Sequence, residues 1–214
     1  MPLAQLHTFT DDYFVVAHDP DTAQPRLNHA ALGYGLAAGL LCELILYRWI
    51  GIRDKIIYPF GYSEVPAEPL QHRVYDLIRA EKQRWPIDYW LRFIAKDAVD
   101  MVGDRLVRTR RHKRETIRVG LLRRAVDVYR PVDPAREAYV AIRLGALVRD
   151  PQPKLEDIIV LALAVATEVT DALDLSEDRE SRERMRHLFG RLPEPLWEVV
   201  THTQAAIAHH VMTR

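Results

Sequence analysis

The sequence has a single cysteine, Cys42, in 214 residues, and its 30 basic residues are matched by 30 acidic ones. One cysteine excludes an intramolecular disulfide, and with it the class of small disulfide scaffolds. A formal net charge of zero excludes attraction of the whole molecule to nucleic acid or anionic membrane, so any such attraction must be local. The first residues lack the basic and apolar regions of a signal peptide, from which we expect a cytoplasmic protein.

The sequence also has few of the residue groupings that enzymes use. Serine occurs three times, and no serine lies in a nucleophile elbow. His202, His209 and His210 share a predicted helix, but they lack the i, i+4 spacing and the third ligand of a zinc site. The glycine-rich stretch Gly33–Gly39 is similar to a dinucleotide fingerprint, yet no strand precedes it, which favours close helix packing. We therefore expect a protein without catalytic residues, cofactor or metal.

One long apolar segment fits either a membrane span or a buried helix. Residues Ala30–Tyr47 are nearly all apolar, but Glu43 and three glycines interrupt them. A span needs about 20 apolar residues, and a carboxylate in mid-segment costs about 2.5 to 3.5 kcal/mol. The segment is therefore predicted to be a buried central helix capped by Asn28. Glu43 is expected near its C-terminal end, hydrogen-bonded or facing a cation such as Arg48.

Apolar periodicity predicts helices over most of the remaining chain. These helices are expected from Thr10 onward and over about Leu70–Arg84, Ile87–Arg108, Asp133–Val148, Leu155–Leu173, Ser176–Gly190 and Leu196–Met212. Two segments alternate with period two instead, around Ile50–Tyr58 and Glu115–Tyr129, which predicts a small and a long β-hairpin. The expected fold is mainly α, a single domain over residues 1–214 with central buried apolar helices surrounded by amphipathic helices, plus a protruding β-hairpin.

The most distinctive local feature is a basic cluster between residues 105 and 130. This stretch holds ten Lys and Arg against two acids, a net charge of +8 in a chain whose total is zero. Two leucines follow Gly120 at the predicted hairpin turn, and cations beside apolar side chains suit an anionic lipid surface. The residues expected to bind lipid are Arg105, Arg108, Arg110, Arg111, Lys113 and Arg114, and those expected to insert into a membrane or a partner are Leu121 and Leu122.

Two other interpretations of this cluster stay open. The cations suit the phosphates of nucleic acid equally well, with the helix and hairpin acting as a winged unit. The cluster is also compatible with a solvated helix end whose neighbouring leucines pack on their own domain. We expect a cytoplasmic protein that associates peripherally with an anionic phospholipid membrane through the cluster. A protein client or a second copy of the chain is expected to bind through the hairpin.

Several segments of the sequence resemble those of a known protein family. No single segment is specific, but their order along the chain is. They are Asp11–Asp19, Pro25–Leu27, Gly35–Leu44, Trp90–Ala95, Asp104–Leu106, Tyr129–Asp133 and the apolar stretch after Asp157. Together they cover most of the chain, and their spacing resembles the Golgi phosphoprotein 3-like family, in particular its bacterial branch.

The resemblance implies a mostly helical domain with a buried helix pair and a protruding β-hairpin. For the eukaryotic members it also implies a peripheral membrane protein that binds phosphatidylinositol 4-phosphate and retains Golgi glycosyltransferases by their cytoplasmic tails. The lipid pocket of those members uses one tryptophan and three arginines. The aligned positions here hold Asn28, Ala37, Asp100 and Gly103. The resemblance therefore does not carry this head-group specificity to the present chain.

Overall fold

The chain folds mainly into α-helices, as its apolar periodicity predicts. The structure is a computed structural model that describes residues 8–62, 64–120, 124–173, 175 and 178–212. The helices of this part of the chain are α1 (Phe9–Val16), α2 (His29–Leu46), α3 (Pro69–Ala80), α4 (Ile87–Ala95), α5 (Ala98–Arg108), α6 (Pro134–Ala146), α7 (Leu155–Ala166), α8 (Arg179–Phe189) and α9 (Glu194–Met212). The mainly α architecture with two hairpins is confirmed.

Two helices that are apolar on nearly every face, α2 and α7, form the centre of the fold. By length and composition alone α2 could cross a membrane, but 72% of it is buried inside the fold. It is surrounded by α1, α4, α5, α7 and α9. Asn28 begins α2, and its Oδ1 accepts the backbone N–H of Ala31 at 3.0 Å. The structure thus places α2 as the central helix of the core.

Glycines allow α1 to lie directly on α2. A Cβ atom at Gly35 would lie 2.0 Å from the Tyr13 hydroxyl oxygen, and one at Gly39 would lie 2.8 Å from the Thr10 side chain. No larger residue fits at such distances without displacing α1. The packing interpretation of Gly33–Gly39 is therefore confirmed.

Two antiparallel hairpins complete the described part of the fold. They consist of β1 (Ile50–Arg53) with β2 (Ile56–Pro59) and of β3 (His112–Val119) with β4 (Arg124–Pro131). The register of the long hairpin pairs His112 with Pro131 at its base and Val119 with Arg124 at its outer end. Gly120 follows β3 with φ +72°, a left-handed conformation that glycine adopts without steric cost. Compared with its sequence pattern, the long hairpin extends further at its base, to His112 and Pro131, and its first strand ends at Val119 as expected.

Three of the predicted helices are wrong in extent. Helix α3 ends at Ala80 rather than at about Arg84, because Glu81 has an extended backbone with ψ 126°.

The other two errors are larger breaks in the predicted pattern. The helix expected over Ile87–Arg108 is divided into α4 and α5, because the chain turns at Lys96–Asp97. This turn lets the apolar faces of both helices pack on α2. Helix α7 ends at Ala166 rather than at Leu173, since Glu168 adopts a left-handed backbone with φ 61°. Local periodicity continued through both breaks and gave no signal of them.

Candidate functional site

Arg105, the first cation of the basic cluster, lies in the core rather than on the surface. Its side chain is 1% exposed. Its Nε donates to Asp11 Oδ1 at 2.7 Å, and its Nη1 donates to Glu43 Oε2 at 3.3 Å. Burial alone would lower the pKa of Arg105, but the Glu43 and Asp11 carboxylates raise it above its usual range. A side chain enclosed in this way cannot reach a lipid surface, so Arg105 is corrected from a lipid-binding residue to a core residue.

Glu43 lies near the C-terminal end of α2 and is hydrogen-bonded, as expected. It accepts the backbone N–H of Thr10 at 3.0 Å and the Gln71 Nε2–H at 3.0 Å. Burial raises the pKa of Glu43, and Arg105 partly offsets that rise. Among the described residues the cation facing Glu43 is Arg105, so the expected pairing with Arg48 is wrong. Arg48 lies beyond the end of α2 with φ 59°.

Arg111 and Arg143 extend this cluster of charges to α6 and α7. Arg111 is 13% exposed, and its Nη2 lies 3.6 Å from Asp12 Oδ1 and 3.5 Å from Glu137 Oε1. Arg143 Nη2 lies 2.8 Å from Asp12 Oδ2 and 3.1 Å from Asp157 Oδ1. We call the whole set the buried ion network: Asp11, Asp12, Glu43, Glu68, Arg105, Arg111, Glu137, Arg143 and Asp157.

The buried ion network joins segments that are far apart in the sequence. A buried charge that loses its partner costs several kcal/mol, so each member depends on the others being in place. Arg111 is expected from the sequence to bind lipid, but most of its side chain is enclosed in this network. Asp11 and Asp12 lie in the first turn of α1, and no local pattern in the sequence predicts their long-range partners.

Arg108 and Arg114 are half-exposed, and each contacts a carboxylate. Arg108 is 51% exposed, and its Nη2 lies 2.8 Å from Glu68 Oε1. Arg114 is 44% exposed, and its Nε donates to Asp127 Oδ2 at 2.9 Å. The Arg114 guanidinium also lies over the Tyr129 ring, 5.6 Å from the ring centre. Both arginines reach solvent, but their charges are partly neutralised.

Arg110 and Lys113 are exposed and form no ion pair with any residue that the structure describes. Arg118 and Arg124, at the outer end of the hairpin, have the same two properties. This second pair contributes to the charge of +8 in the basic cluster, but it is not among the residues that are expected from the sequence to bind lipid. Arg118 and Arg124 lie on opposite faces of the hairpin, and both faces are exposed at its outer end. The signal that identifies them is therefore their position beside the predicted turn.

The outer half of the hairpin has one face that combines apolar and basic side chains. Residues directly opposite each other in an antiparallel pair lie on the same face. Ile117 pairs with Val126, and Val119 pairs with Arg124. Val126 is 37% exposed, and Lys113 lies on the same face nearer the base. We call the outer-hairpin side chains of this face, Ile117, Val119, Arg124 and Val126, the hairpin face.

The expected membrane- or partner-inserting residues, Leu121 and Leu122, lie outside the described residues, as does Arg123. Their insertion stays a prediction. The described residues on either side, Gly120 and Arg124, are both exposed.

The positions aligned with the family's lipid pocket are occupied by core and hairpin contacts. Ala37 is fully buried, and Asn28 caps α2. A Cβ atom at Gly103 would lie 2.2 Å from the Tyr129 ring, so this ring occupies the space beside α5. The Tyr129 hydroxyl donates to Asp100 Oδ1 at 3.1 Å. The hairpin thus packs against the place where the resemblance locates a head-group pocket.

Other candidate groups lie away from the basic cluster. His202 Nδ1 lies 2.6 Å from Asp88 Oδ1. Cys42 is buried in α2, and burial raises the pKa of its thiol far above the usual range. Within the residues that the structure describes, no group of three or more His, Cys, Asp or Glu side chains is arranged to hold a metal ion.

Comparison with known proteins confirms the family resemblance noted in the sequence. The family model described as Golgi phosphoprotein 3 (GPP34) matches residues 10–203. A comparison with curated proteins finds no match. The matched region contains the buried ion network, both hairpins and all but the two ends of the helical body. The chain therefore belongs to the Golgi phosphoprotein 3 (GPP34) family.

Proposed function

We propose that this protein is a peripheral membrane protein that docks on anionic phospholipid through its long β-hairpin. Family membership supports a lipid-associated adaptor role at the family level. The observation that carries the proposal is a set of exposed cations without ion pairs among the described residues. These cations are Arg110, Lys113, Arg118 and Arg124.

The four cations favour a charged surface because no carboxylate of the described chain neutralises them. A cation held against an anionic membrane contributes about 1 kcal/mol, so Arg118 and Arg124 at the outer end together contribute roughly 2 kcal/mol. Lys113 and Arg110 lie nearer the base and add a smaller part that grows as salt is lowered. The interaction is screened over a Debye length of about 8 Å at physiological ionic strength. Binding by these residues is therefore expected to weaken as salt is raised.

The shape of the hairpin supports the same contact. At its base the side chains of His112 and Tyr129 are buried, whereas residues 124–127 of β4 are exposed. Four strand residues span roughly 13 Å, so the outer half reaches beyond the helical body. The hairpin face brings apolar side chains to the same height as Arg124, which suits the boundary between head groups and acyl chains.

The proposed docking depends on surface charge rather than on a head-group pocket. Tyr129 fills the space beside Gly103. Arg110 precedes the hairpin, and Lys113, Arg118 and Arg124 are spread along it on both faces instead of converging on one point. We expect phosphatidylglycerol, cardiolipin and phosphoinositides to bind in the order of their charge density in the membrane.

The adaptor part of the proposal comes from the family alone. In this part of the proposal the hairpin binds a protein client or a second copy of the chain at the cytoplasmic surface of a membrane. The proposal includes no catalytic step. Membrane docking can be tested without knowing that client.

Sedimentation with vesicles tests the docking. The full chain is expected to pellet with phosphatidylcholine vesicles that contain phosphatidylglycerol, more at low than at physiological salt, and to stay soluble with phosphatidylcholine alone. Replacing Arg110, Lys113, Arg118 and Arg124 with glutamate is expected to abolish binding and leave the urea midpoint of unfolding unchanged. Arg111 is kept because it belongs to the buried ion network.

A matched variant separates the hairpin from total charge. Replacing Arg73, Arg79, Lys82 and Lys154 with glutamate changes the net charge equally at exposed positions elsewhere, and this variant is expected to bind nearly as well as the native chain. Equal loss in both variants would show a non-local effect and contradict the proposal. Duplex DNA that binds more tightly than the vesicles and displaces the protein from them would favour the nucleic-acid alternative instead.

A further inference from the structure

A cavity of about 290 Å³ opens at the foot of the long hairpin, between α1, α6 and the segment that follows α1. Its apolar wall includes Val15, Val16, Ala141 and Ile142. None of the four exposed hairpin cations lines it, so it is a different site from the proposed docking surface.

Two buried polar atoms of residues that line this cavity have no hydrogen-bond partner in the described part of the chain. They are His112 Nδ1 and Glu137 Oε2, and their residues are 5% and 4% exposed. Leaving a buried polar atom unpaired costs about 1 to 3 kcal/mol, and folded proteins keep few such atoms. Other such atoms lie elsewhere in the described chain, Trp85 Nε1 and Trp90 Nε1 among them. The atoms of His112 and Glu137 differ because their residues line one cavity, where a ligand can supply the missing partners.

The charges around the cavity balance, which selects for an uncharged ligand. Asp19 and Arg26 form an ion pair at 3.6 Å, and Arg111 Nη2 lies 3.5 Å from the other oxygen of Glu137. Burial lowers the pKa of His18 to about 4 and that of His112 to about 4, so both rings are neutral near pH 7.

The hydrogen-bonding capacity of these groups limits the ligand further. His18 Nδ1 donates to the Phe14 carbonyl oxygen at 2.7 Å, so the neutral ring presents Nε2 as an acceptor. Burial raises the pKa of Glu137, and the guanidinium of Arg111 partly offsets that rise. The carboxylate paired with Arg111 presents Oε2 as an acceptor, whereas His112 Nδ1 donates or accepts according to its tautomer. The ligand must therefore supply at least one donor, and a hydroxyl group supplies one donor together with acceptor capacity.

We propose that this cavity binds a small uncharged amphiphile that carries a hydroxyl group, of the monoacylglycerol class. Its hydroxyl donates to Glu137 Oε2 and accepts from His112 Nδ1, and its apolar part packs on Val15, Val16 and Ile142. The volume lies near the lower limit of about 300 Å³ for ligand pockets, so the site takes a short chain or the end of a longer one.

Isothermal titration of the full chain with 1-octanoylglycerol, in the absence of vesicles, tests this site. Saturable binding is expected, and octanoate is expected to bind at least about tenfold more weakly, a difference of about 1.4 kcal/mol. The carboxylate has no proton to donate to Glu137 and adds a second negative charge beside it. Absence of saturable binding by 1-octanoylglycerol, or equal binding of octanoate, would overturn the proposal.

Two variants locate the binding. Ala138 is exposed and lines the cavity, so Ala138→Trp is expected to block binding without unfolding the chain, whereas Ala146→Trp places the same side chain on α6 away from the cavity. His112→Phe keeps the ring but removes Nδ1, and it is expected to weaken binding about tenfold. Unchanged affinity in both Ala138→Trp and His112→Phe would show that the probe binds elsewhere. Because the assay contains no membrane, its failure would leave the docking proposal standing, and the reverse also holds.

Discussion

The buried ion network and the outer half of the long hairpin use the same residue type in opposite environments. Arg105 is enclosed among carboxylates from α1, α2 and the segment before α3, whereas Arg118 is exposed and has no ion pair among the described residues. Charge in the first environment is fixed by its partners, and charge in the second is available to an external surface. A net charge of +8 counted along the sequence therefore overstates what a membrane can meet.

The largest expected effect is on the buried side of this comparison. Arg105→Met leaves Asp11 and Glu43 buried without their cation, which is expected to lower the free energy of unfolding by about 3 to 5 kcal/mol. Urea unfolding followed by circular dichroism measures the change. Arg118→Met is the control and is expected to leave stability nearly unchanged. Equal stability of Arg105→Met and the native chain would show that the network does not stabilise the fold.

The next largest effect is expected on membrane binding, when the two leucines between the strands of the long hairpin are replaced. Burying Leu121 and Leu122 in lipid is worth about 1.5 to 3 kcal/mol for each side chain. The variant Leu121→Ser with Leu122→Ser is expected to lose binding to anionic vesicles by at least about a hundredfold, with an unchanged urea midpoint. Unfolding of this variant would show that the leucines pack on their own domain, and full retention of binding would show that they do not insert.

The buried ring of His18 makes the free energy of unfolding depend on pH, whereas an exposed histidine does not. Burial lowers the pKa of His18 from 6.5 to about 4, so between these values the unfolded chain binds a proton that the folded chain does not. The corresponding stability is present above pH 6.5 and is lost as the pH falls toward 4. Each unit of difference is worth about 1.4 kcal/mol, so the loss approaches ~3 kcal/mol.

His18→Gln removes this titration and is expected to reduce the fall in unfolding free energy between pH 6.5 and pH 4 by about half. The rest of the fall remains because burial also lowers the pKa of His112 to about 4. His187 is exposed on α8, and His187→Gln is expected to leave the pH profile unchanged. The profile is measured by urea unfolding at each pH. The same slope in His18→Gln as in the native chain would contradict the assignment.

The fold was more predictable from the sequence than the site was. Patterns of period 3.6 and 2 located the central helix α2, the helices around it and both hairpins, because each pattern reports which face of a local segment is buried. In the buried ion network, by contrast, the residues that form an ion pair lie far apart in the sequence. Glu43 signals a buried carboxylate that needs a cation, but Arg48 is near in sequence and Arg105 is near in space. The sequence therefore predicted that Glu43 has a polar partner, and its example of a cation, Arg48, is not the one that the structure shows.

The smallest expected effect separates two arginines of one strand. Arg118 lies at the outer end of β3, and Arg114 lies four residues nearer the base, roughly 13 Å away. That distance exceeds the Debye length of about 8 Å at physiological salt but not the value of about 30 Å at 0.01 M. Arg118→Gln is therefore expected to weaken vesicle binding about fivefold at physiological salt, equivalent to about 1 kcal/mol.

Arg114→Gln has the same formal charge change and is expected to have a clearly smaller effect at physiological salt. The two variants should become similar at low salt, where screening no longer distinguishes their distances from the membrane. Sedimentation with phosphatidylglycerol-containing vesicles at both salt concentrations measures the pair. A larger loss for Arg114→Gln at physiological salt would place the contact at the base of the hairpin, beside α5, instead of at its outer end.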